Sequence, residues 1–230
     1  MMTQAGSFKP LGLKVGVFGG TFNPVHVAHI QTVLEVKRAL QLDALLLVPA
    51  ATPPHKDTTH VASAKDRLAM LLLAISETPG VVVSDMELRR QGPSYSVDTI
   101  RDIRGLLPSE TDLFFIIGRD AFLEIDSWRD YRAIFEETAF IVMRRPSDDA
   151  DDGDDNLGLL LASRVSSGYD FDSNARMFRH PRLKSVYLFE NTEHHVSATA
   201  IRDRIRKGMP IDGLVPEAVA AYIVRKGLYR

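Results

Sequence analysis

The chain has 230 residues, 45% of them hydrophobic and 25% charged, an ordinary balance for a globular protein with a sizeable core. A net charge of -2 gives no general attraction to nucleic acid or to an anionic membrane. With no cysteine, disulfides, thiolate chemistry and cysteine-held zinc are excluded, and with no run of about 18 apolar residues the cytoplasm is the expected location.

Residues 1–12 read as a loose leader. KVGVFG (14–19) is a short β-branched run ended by glycine, as expected of a buried strand. Apolar residues at helical spacing predict a helix over 26–40, followed by the strand ALLLVP (44–49), stopped by proline. A helix over 63–76 opens on Ser63-x-x-Asp66, which resembles a capping box. A strand at 81–85, a helix at 96–106, a strand at 113–118 and helical segments within 124–137 follow, then the strand AFIVMRRP. SDDADDGDD (147–155) contains six aspartates, so removing it from a net charge of -2 leaves a body of +4. It lacks the order of a calcium loop, and 147–181 reads as a mobile acidic and polar loop without catalytic role. A strand at 183–190 and helices over 198–207 and 216–226 close the chain, with Pro216 at a first helical position.

Apolar strands alternating with helices specify an α/β fold. It should be a Rossmann-like, doubly wound, mainly parallel sheet with helices on both faces and a small helical part at 197–230, all in one domain. Ligands of such sheets bind beyond the carboxyl ends of the strands, where the strand order switches. GGTFNPVH, PAATPPHK and IGRD each directly follow a strand, so all three fall at that edge.

In the first of these, Gly19 and Gly20 let the chain turn sharply and let a ligand approach the backbone, while the following helix start favours an anion. Neither the dinucleotide fingerprint nor the phosphate-loop pattern is present. His26 and His29 fall on neighbouring faces of the first helical turn, placed to donate to phosphate oxygens. A lone histidine is more often structural, but beside a glycine pair anion binding is the better reading. Zinc would need further ligands that the neighbouring sequence lacks. Near the other end, Ser197 and Thr199 can cap a helix whose first turn carries Arg202, able to fork two phosphate oxygens. Taken alone, that string is equally a simple helix cap.

FGGTFNPVHVAH resembles the glycine turn and HxGH motif of the nucleotidylyltransferase superfamily, with Ala28 in the usual glycine position. VSATAIRDRI (196–205) resembles that superfamily's ISSTxIR motif. PPHK (53–56), ELRRQGPSYSVDTI (87–100), IIGRDAFLEIDSW (116–128) and VPEAVAAYIVRKGLYR (215–230) resemble the bacterial nicotinate-mononucleotide adenylyltransferase (nicotinate-nucleotide adenylyltransferase) family, in matching order and spacing.

The resemblance implies transfer of the adenylyl group of ATP to nicotinate mononucleotide, giving nicotinate adenine dinucleotide and pyrophosphate. It implies Mg2+ held mainly by the ATP phosphates. Gly19, Gly20, Thr21 and Phe22 would shape the phosphate turn, and His26, His29, Ser197, Thr199 and Arg202 would hold the triphosphate, with His26, His29 and Arg202 catalytic. Gly118 and Asp120 would meet the adenosine, Asp120 accepting from a ribose hydroxyl. Lys56, Ser96, Trp128 and Arg145 would receive the mononucleotide. Each has a plainer alternative: Trp128 as core filler, Asp120 as a helix cap, Arg145 facing the aspartates, Lys56 solvated. Ser94, Tyr95 and Asp98 are expected to brace the loop and helix start. Partners are then the two substrates, with no nucleic acid or membrane, and a homo-oligomer is compatible with the sequence. The competing functions are a nicotinamide-mononucleotide adenylyltransferase, another small nucleotidylyltransferase, or a nucleotide-binding regulator without catalysis.

Overall fold

A computed structural model describes residues 14–51, 61–144, 153–192 and 196–230. The expected leader, Lys56, Arg145 and most of the aspartate run lie outside the described residues. The elements in chain order are β1 (Lys14–Gly20), α1 (Val27–Ala39), β2 (Ala44–Pro49), α2 (Ala64–Ala74), β3 (Val81–Val83), α3 (Met86–Arg89), α4 (Ser96–Leu106) and β4 (Asp112–Gly118). They continue with α5 (Arg119–Leu123), α6 (Tyr131–Glu137), β5 (Ala139–Arg144), α7 (Gly153–Leu160), β6 (Asp170–Asp172), β7 (Met177–Arg179), β8 (Val186–Glu190), α8 (Ala198–Arg206) and α9 (Glu217–Lys226).

These strands form one sheet of order β3-β2-β1-β4-β5-β8-β7-β6, parallel from β3 to β8 and antiparallel where β7 joins β8 and β6 joins β7. This is the doubly wound α/β fold expected. Alternate strand residues point to opposite faces, and each face has its own core. Val15, Val17, Leu46, Val48, Phe115, Ile117, Phe140 and Val142 face α4, α5, α6 and α7 through Ile100, Phe122, Phe135 and Leu157. Leu45, Leu47, Phe114, Ile116 and Ile141 face α1, α2, α8 and α9 through Val36, Met70, Ile201 and Tyr222. Because both faces are covered, the inner strands read as unbroken apolar runs rather than alternating ones.

Local signals account for most boundaries. The Ser63 hydroxyl caps α2 by accepting from the Asp66 amide at 3.1 Å, and Gly227 ends α9 at φ 63, a conformation that disfavours a side chain. Pro216 sits one position earlier than expected, as the N-cap of α9.

The reading of 147–181 as one long loop does not describe its later part. Residues 153–165 form α7 and a short π-helical turn, and β6 and β7 make a hairpin. The sequence disguises this because, among the described residues of 153–165, only Leu157 and Leu161, one helical turn apart, are buried. In the hairpin, Phe171 pairs with Phe178, and the Asp172 carboxylate accepts the amides of Asn174 and Ala175 at 3.1 and 3.0 Å.

β1 pairs with β2 on one side and β4 on the other, so the strand order switches between β1 and β4. A cavity of about 610 Å³ opens there. Phe18, Gly19 and Gly20 from β1, Val48 from β2 with Ala50 just beyond it, and Ile116, Ile117 and Gly118 from β4 wall its strand side.

Candidate active site

The turn after β1 is built on Phe22, which has φ 49 and a ring only 2% exposed. Its ring stands edge-on to Phe18 at 5.8 Å and to His29 at 5.2 Å. A Cβ at Gly20 would come within 3.1 Å of the Phe22 ring, a tight contact that would press on that ring. At Gly19 an added Cβ would meet only the Val48 carbonyl, at 4.0 Å, and would project into open space. Gly19 thus leaves room in the cavity it lines, whereas Gly20 makes room for Phe22.

α1 begins directly after this turn. The imidazoles of His26 and His29 stack with centroids 3.6 Å apart, and the His26 amide donates to His29 Nδ1 at 3.3 Å. A nitrogen that accepts from an amide carries no proton, so neutral His29 holds its proton on Nε2, as a donor. His26 is 6% exposed, and burial pushes its pKa down to about 4, so it is neutral at physiological pH. Among the described residues its Nδ1 is buried without a hydrogen-bond partner. Ala28, where the superfamily motif has glycine, is buried in α1.

α8 brings in the second motif. The Ser197 hydroxyl accepts from the Ala200 amide at 3.1 Å and caps the helix, as expected. Arg202 Nη2 donates to Thr199 Oγ1 at 3.1 Å, and Nη1 donates to the Asn23 carbonyl at 2.8 Å. This second bond ties α8 to the glycine turn across 179 positions of sequence. Arg202 Nε is buried and, among the described residues, has no hydrogen-bond partner. Two of the four such atoms found among the described residues belong to His26 and Arg202, so the donor cluster itself carries unmet hydrogen-bonding capacity.

Three residues that sequence reasoning passed over hold this arrangement. Asn23 Oδ1 accepts from the Ala62 amide and from the Tyr229 hydroxyl, both at 2.9 Å. Burial raises the Tyr229 phenol pKa, which keeps the hydroxyl protonated as that donor. Arg67, on α2, is 1% exposed and donates to the carbonyls of Ala62 at 3.1 Å, Thr21 at 2.9 Å and Ala51 at 3.1 Å. Its fixed fork of donors satisfies three loop carbonyls at once, one of them in the glycine turn. A charged residue within the apolar run of AKDRLAMLLLA was the available signal for Arg67. Nothing local marked Tyr229.

Of the other expected residues, Ser96 and Trp128 line the cavity with Ser94, Tyr95, Glu87 and Arg129. Trp128 is partly buried, edge-on to Phe115 at 6.2 Å, so it packs on the core while presenting a wall to the cavity. Gly118 caps α5 and also lines the cavity, with space around it for a side chain it does not have. Asp120 is exposed in the first turn of α5, adjoining Gly118. Phe18, in the cavity wall, lies 6.3 Å from the His29 ring, so donor cluster and cavity adjoin.

A serine–histidine pair elsewhere is structural. His180 Nδ1 accepts from the amides of Arg182 at 3.0 Å and Leu183 at 2.8 Å, so its Nε2 bears the proton and donates to Ser166 Oγ at 2.9 Å. A histidine in that tautomer cannot take a proton from the serine.

The cytidylyltransferase-like family model matches residues 17–204. A protein of Syntrophotalea carbinolica named a probable nicotinate-nucleotide adenylyltransferase is 39% identical over 218 residues, which cover 95% of this chain and 98% of the relative. One of Geobacter sulfurreducens with the same name is 41% identical over 217 residues, covering 94% and 98%. In fold, the chain is similar to Plasmodium falciparum nicotinic acid mononucleotide adenylyltransferase complexed with NaAD. The TM-score is 0.70 at 17% identity, over 95% of this chain and 98% of that one. A second structure of the Plasmodium protein, complexed with APC, gives a TM-score of 0.69 at 16% identity.

Proposed function

The chain belongs to the cytidylyltransferase-like family, among the nicotinate-nucleotide adenylyltransferases, and on that premise we propose how its residues carry the reaction. The enzyme transfers the adenylyl group of ATP to nicotinate mononucleotide. A 5′-phosphate oxygen of the mononucleotide forms a bond to the α-phosphorus of ATP while the bond to the bridging oxygen of pyrophosphate breaks. The products are nicotinate adenine dinucleotide and pyrophosphate.

A phosphate monoester is already an oxyanion near neutral pH, so the attack needs neither a general base nor a covalent intermediate. Catalysis then consists of aligning two anions and neutralising the charge that builds on the α-phosphorus and the leaving group. His29 Nε2–H, the His26 imidazole and the Arg202 guanidinium are the donors for that charge. Ser197 and Thr199, at the start of α8, complete the triphosphate site together with Gly19, Gly20 and Thr21 of the turn. Gly118 and Asp120 receive the adenosine, and Ser96 and Trp128 the pyridine ring. The bond from Arg202 to the Asn23 carbonyl carries this reading, because it joins two phosphate motifs from opposite ends of the chain beside the sheet's switch point.

Among the described residues no three or more His, Asp or Glu side chains gather into a metal site. Mg2+ would therefore take its ligands from triphosphate oxygens and water, which suits a small ion that dehydrates reluctantly. Bound there, it would offset charge on the leaving pyrophosphate. Among the described residues no helix is long and apolar enough to cross a membrane, and the cysteine-free sequence supports a place in the cytoplasm.

The test is pyrophosphate release from ATP with nicotinate mononucleotide, then with nicotinamide mononucleotide, and identification of the dinucleotide by mass. Stoichiometric nicotinate adenine dinucleotide and pyrophosphate are expected. Binding of ATP without pyrophosphate release in either case would instead mark a nucleotide-binding regulator.

A further inference from the structure

The cavity wall carries, among the described residues, one carboxylate, Glu87, and one guanidinium, Arg129. Glu87 is buried, and the Thr99 hydroxyl donates to its Oε1 at 2.7 Å. A fixed negative charge at this wall disfavours an anionic ring and by itself would select a neutral carboxamide. An acid-specific pocket with this wall needs a cation to reverse that preference.

Arg129 has the geometry for it. Its guanidinium lies over the Tyr95 ring at 4.7 Å, and Tyr95 and Trp128 line the same cavity. Stacking on the ring face uses the guanidinium plane and leaves its N–H groups free at the edge. Among the described residues those groups make no protein hydrogen bond, and the nearest carboxylate, Asp98, stands 3.9 Å away with the arginine side chain 60% exposed. Arg90, Arg101 and Arg132 are committed elsewhere. Arg90 donates to Thr99 at 3.1 Å and pairs with Asp102, Arg101 pairs with Asp130 at 2.8 Å, and Arg132 donates to the Arg164 carbonyl at 3.1 Å.

We propose that Arg129 determines the choice of acid over amide, its stacked guanidinium pairing with the ring carboxylate of nicotinate mononucleotide beside Trp128. The proposal rests on the reaction given above and names the residue that selects its second substrate. Asp98 holds the guanidinium only loosely, so a substrate carboxylate displaces a weak, solvated pair. Glu87 then acts as the opposing charge: it makes the pocket unfavourable to an anion unless Arg129 is present.

The experiment compares Arg129→Gln and Arg129→Lys with wild type, measuring kcat/KM for nicotinate and nicotinamide mononucleotides at saturating ATP. Loss of a charge-assisted pair should lower the acid-to-amide ratio by about 10- to 100-fold in Arg129→Gln. Arg129→Lys should recover part of that ratio, since it keeps the charge but loses the fork. Because Arg129 is exposed, both variants should melt within a few degrees of wild type, on the order of 2 °C. A ratio changed by less than about threefold, or a parallel loss for both substrates, overturns the role of Arg129 and leaves the reaction standing. A wild-type protein that makes neither dinucleotide overturns the reaction itself, and the role of Arg129 with it.

Discussion

Acidification should weaken the fold through His26, and the size of the effect follows from its burial. Unfolded, the imidazole titrates at its ordinary value of 6.5; folded, burial lowers it to about 4. Between these values the unfolded chain binds a proton that the folded chain refuses, so stability is full above the unfolded value and falls as pH drops toward the folded one. From pH 7 to pH 5 the linkage amounts to about 2 kcal/mol, a large share of a typical stability of roughly 5–15 kcal/mol. Urea denaturation of wild type and His26→Gln at the two pH values isolates this contribution from that of the acidic groups. Wild type should lose about 2 kcal/mol more than the variant over this interval. Saturating ATP should narrow the gap, because phosphate oxygens beside the imidazole favour its protonated form. Equal losses in the two proteins, within about 0.5 kcal/mol, would refute the assignment of a buried, neutral His26.

Arg202→Ala should lower kcat about 10²- to 10³-fold, by removing a donor to developing phosphate charge, while Arg202→Lys falls between it and wild type. Steady-state pyrophosphate release checks this, and a loss of less than about tenfold in the alanine variant contradicts a catalytic role. His29→Ala should depress turnover by a similar factor yet shift the melting temperature by only a few degrees, on the order of 4 °C, as read by parallel kinetics and thermal melts. Near-normal turnover would remove His29 from the mechanism. Arg67→Met should be mainly a stability variant, costing about 3–5 kcal/mol in urea denaturation because three loop carbonyls lose their donor. A cost below about 1 kcal/mol would show that water replaces the guanidinium.

Much of this protein was legible along the chain because its information is local. The runs KVGVFG, ALLLVP and LFFIIG name the inner strands, since a parallel strand covered on both faces is apolar throughout. Ser63 and Ser197 announce helix starts through hydroxyls that cap amides three residues on. The glycine turn, the paired histidines and the S-x-T-x-x-R string fall at strand or helix ends, where their residue types already imply anion binding. The segment after the aspartates was harder to read: Leu157 of α7 and Leu161 of the turn that follows it, one helical turn apart, are its buried anchors.

Chain order and residue type thus determined the doubly wound sheet, and they singled out His26, His29 and Arg202 as the candidate donors at one edge of it. Which residues hold those donors in place was decided only by folding. Arg202 reaches Asn23 across 179 positions, Tyr229 reaches the same side chain across 206, and Arg67 closes on Thr21 across 46. Arg129 lies on Tyr95 through a cation–π contact that no periodicity encodes. Periodicity and capping act over one or two turns of chain and are written in neighbouring letters. A buried polar group instead takes whatever partner the packed fold brings within hydrogen-bonding distance, and that partner has no fixed place in the sequence.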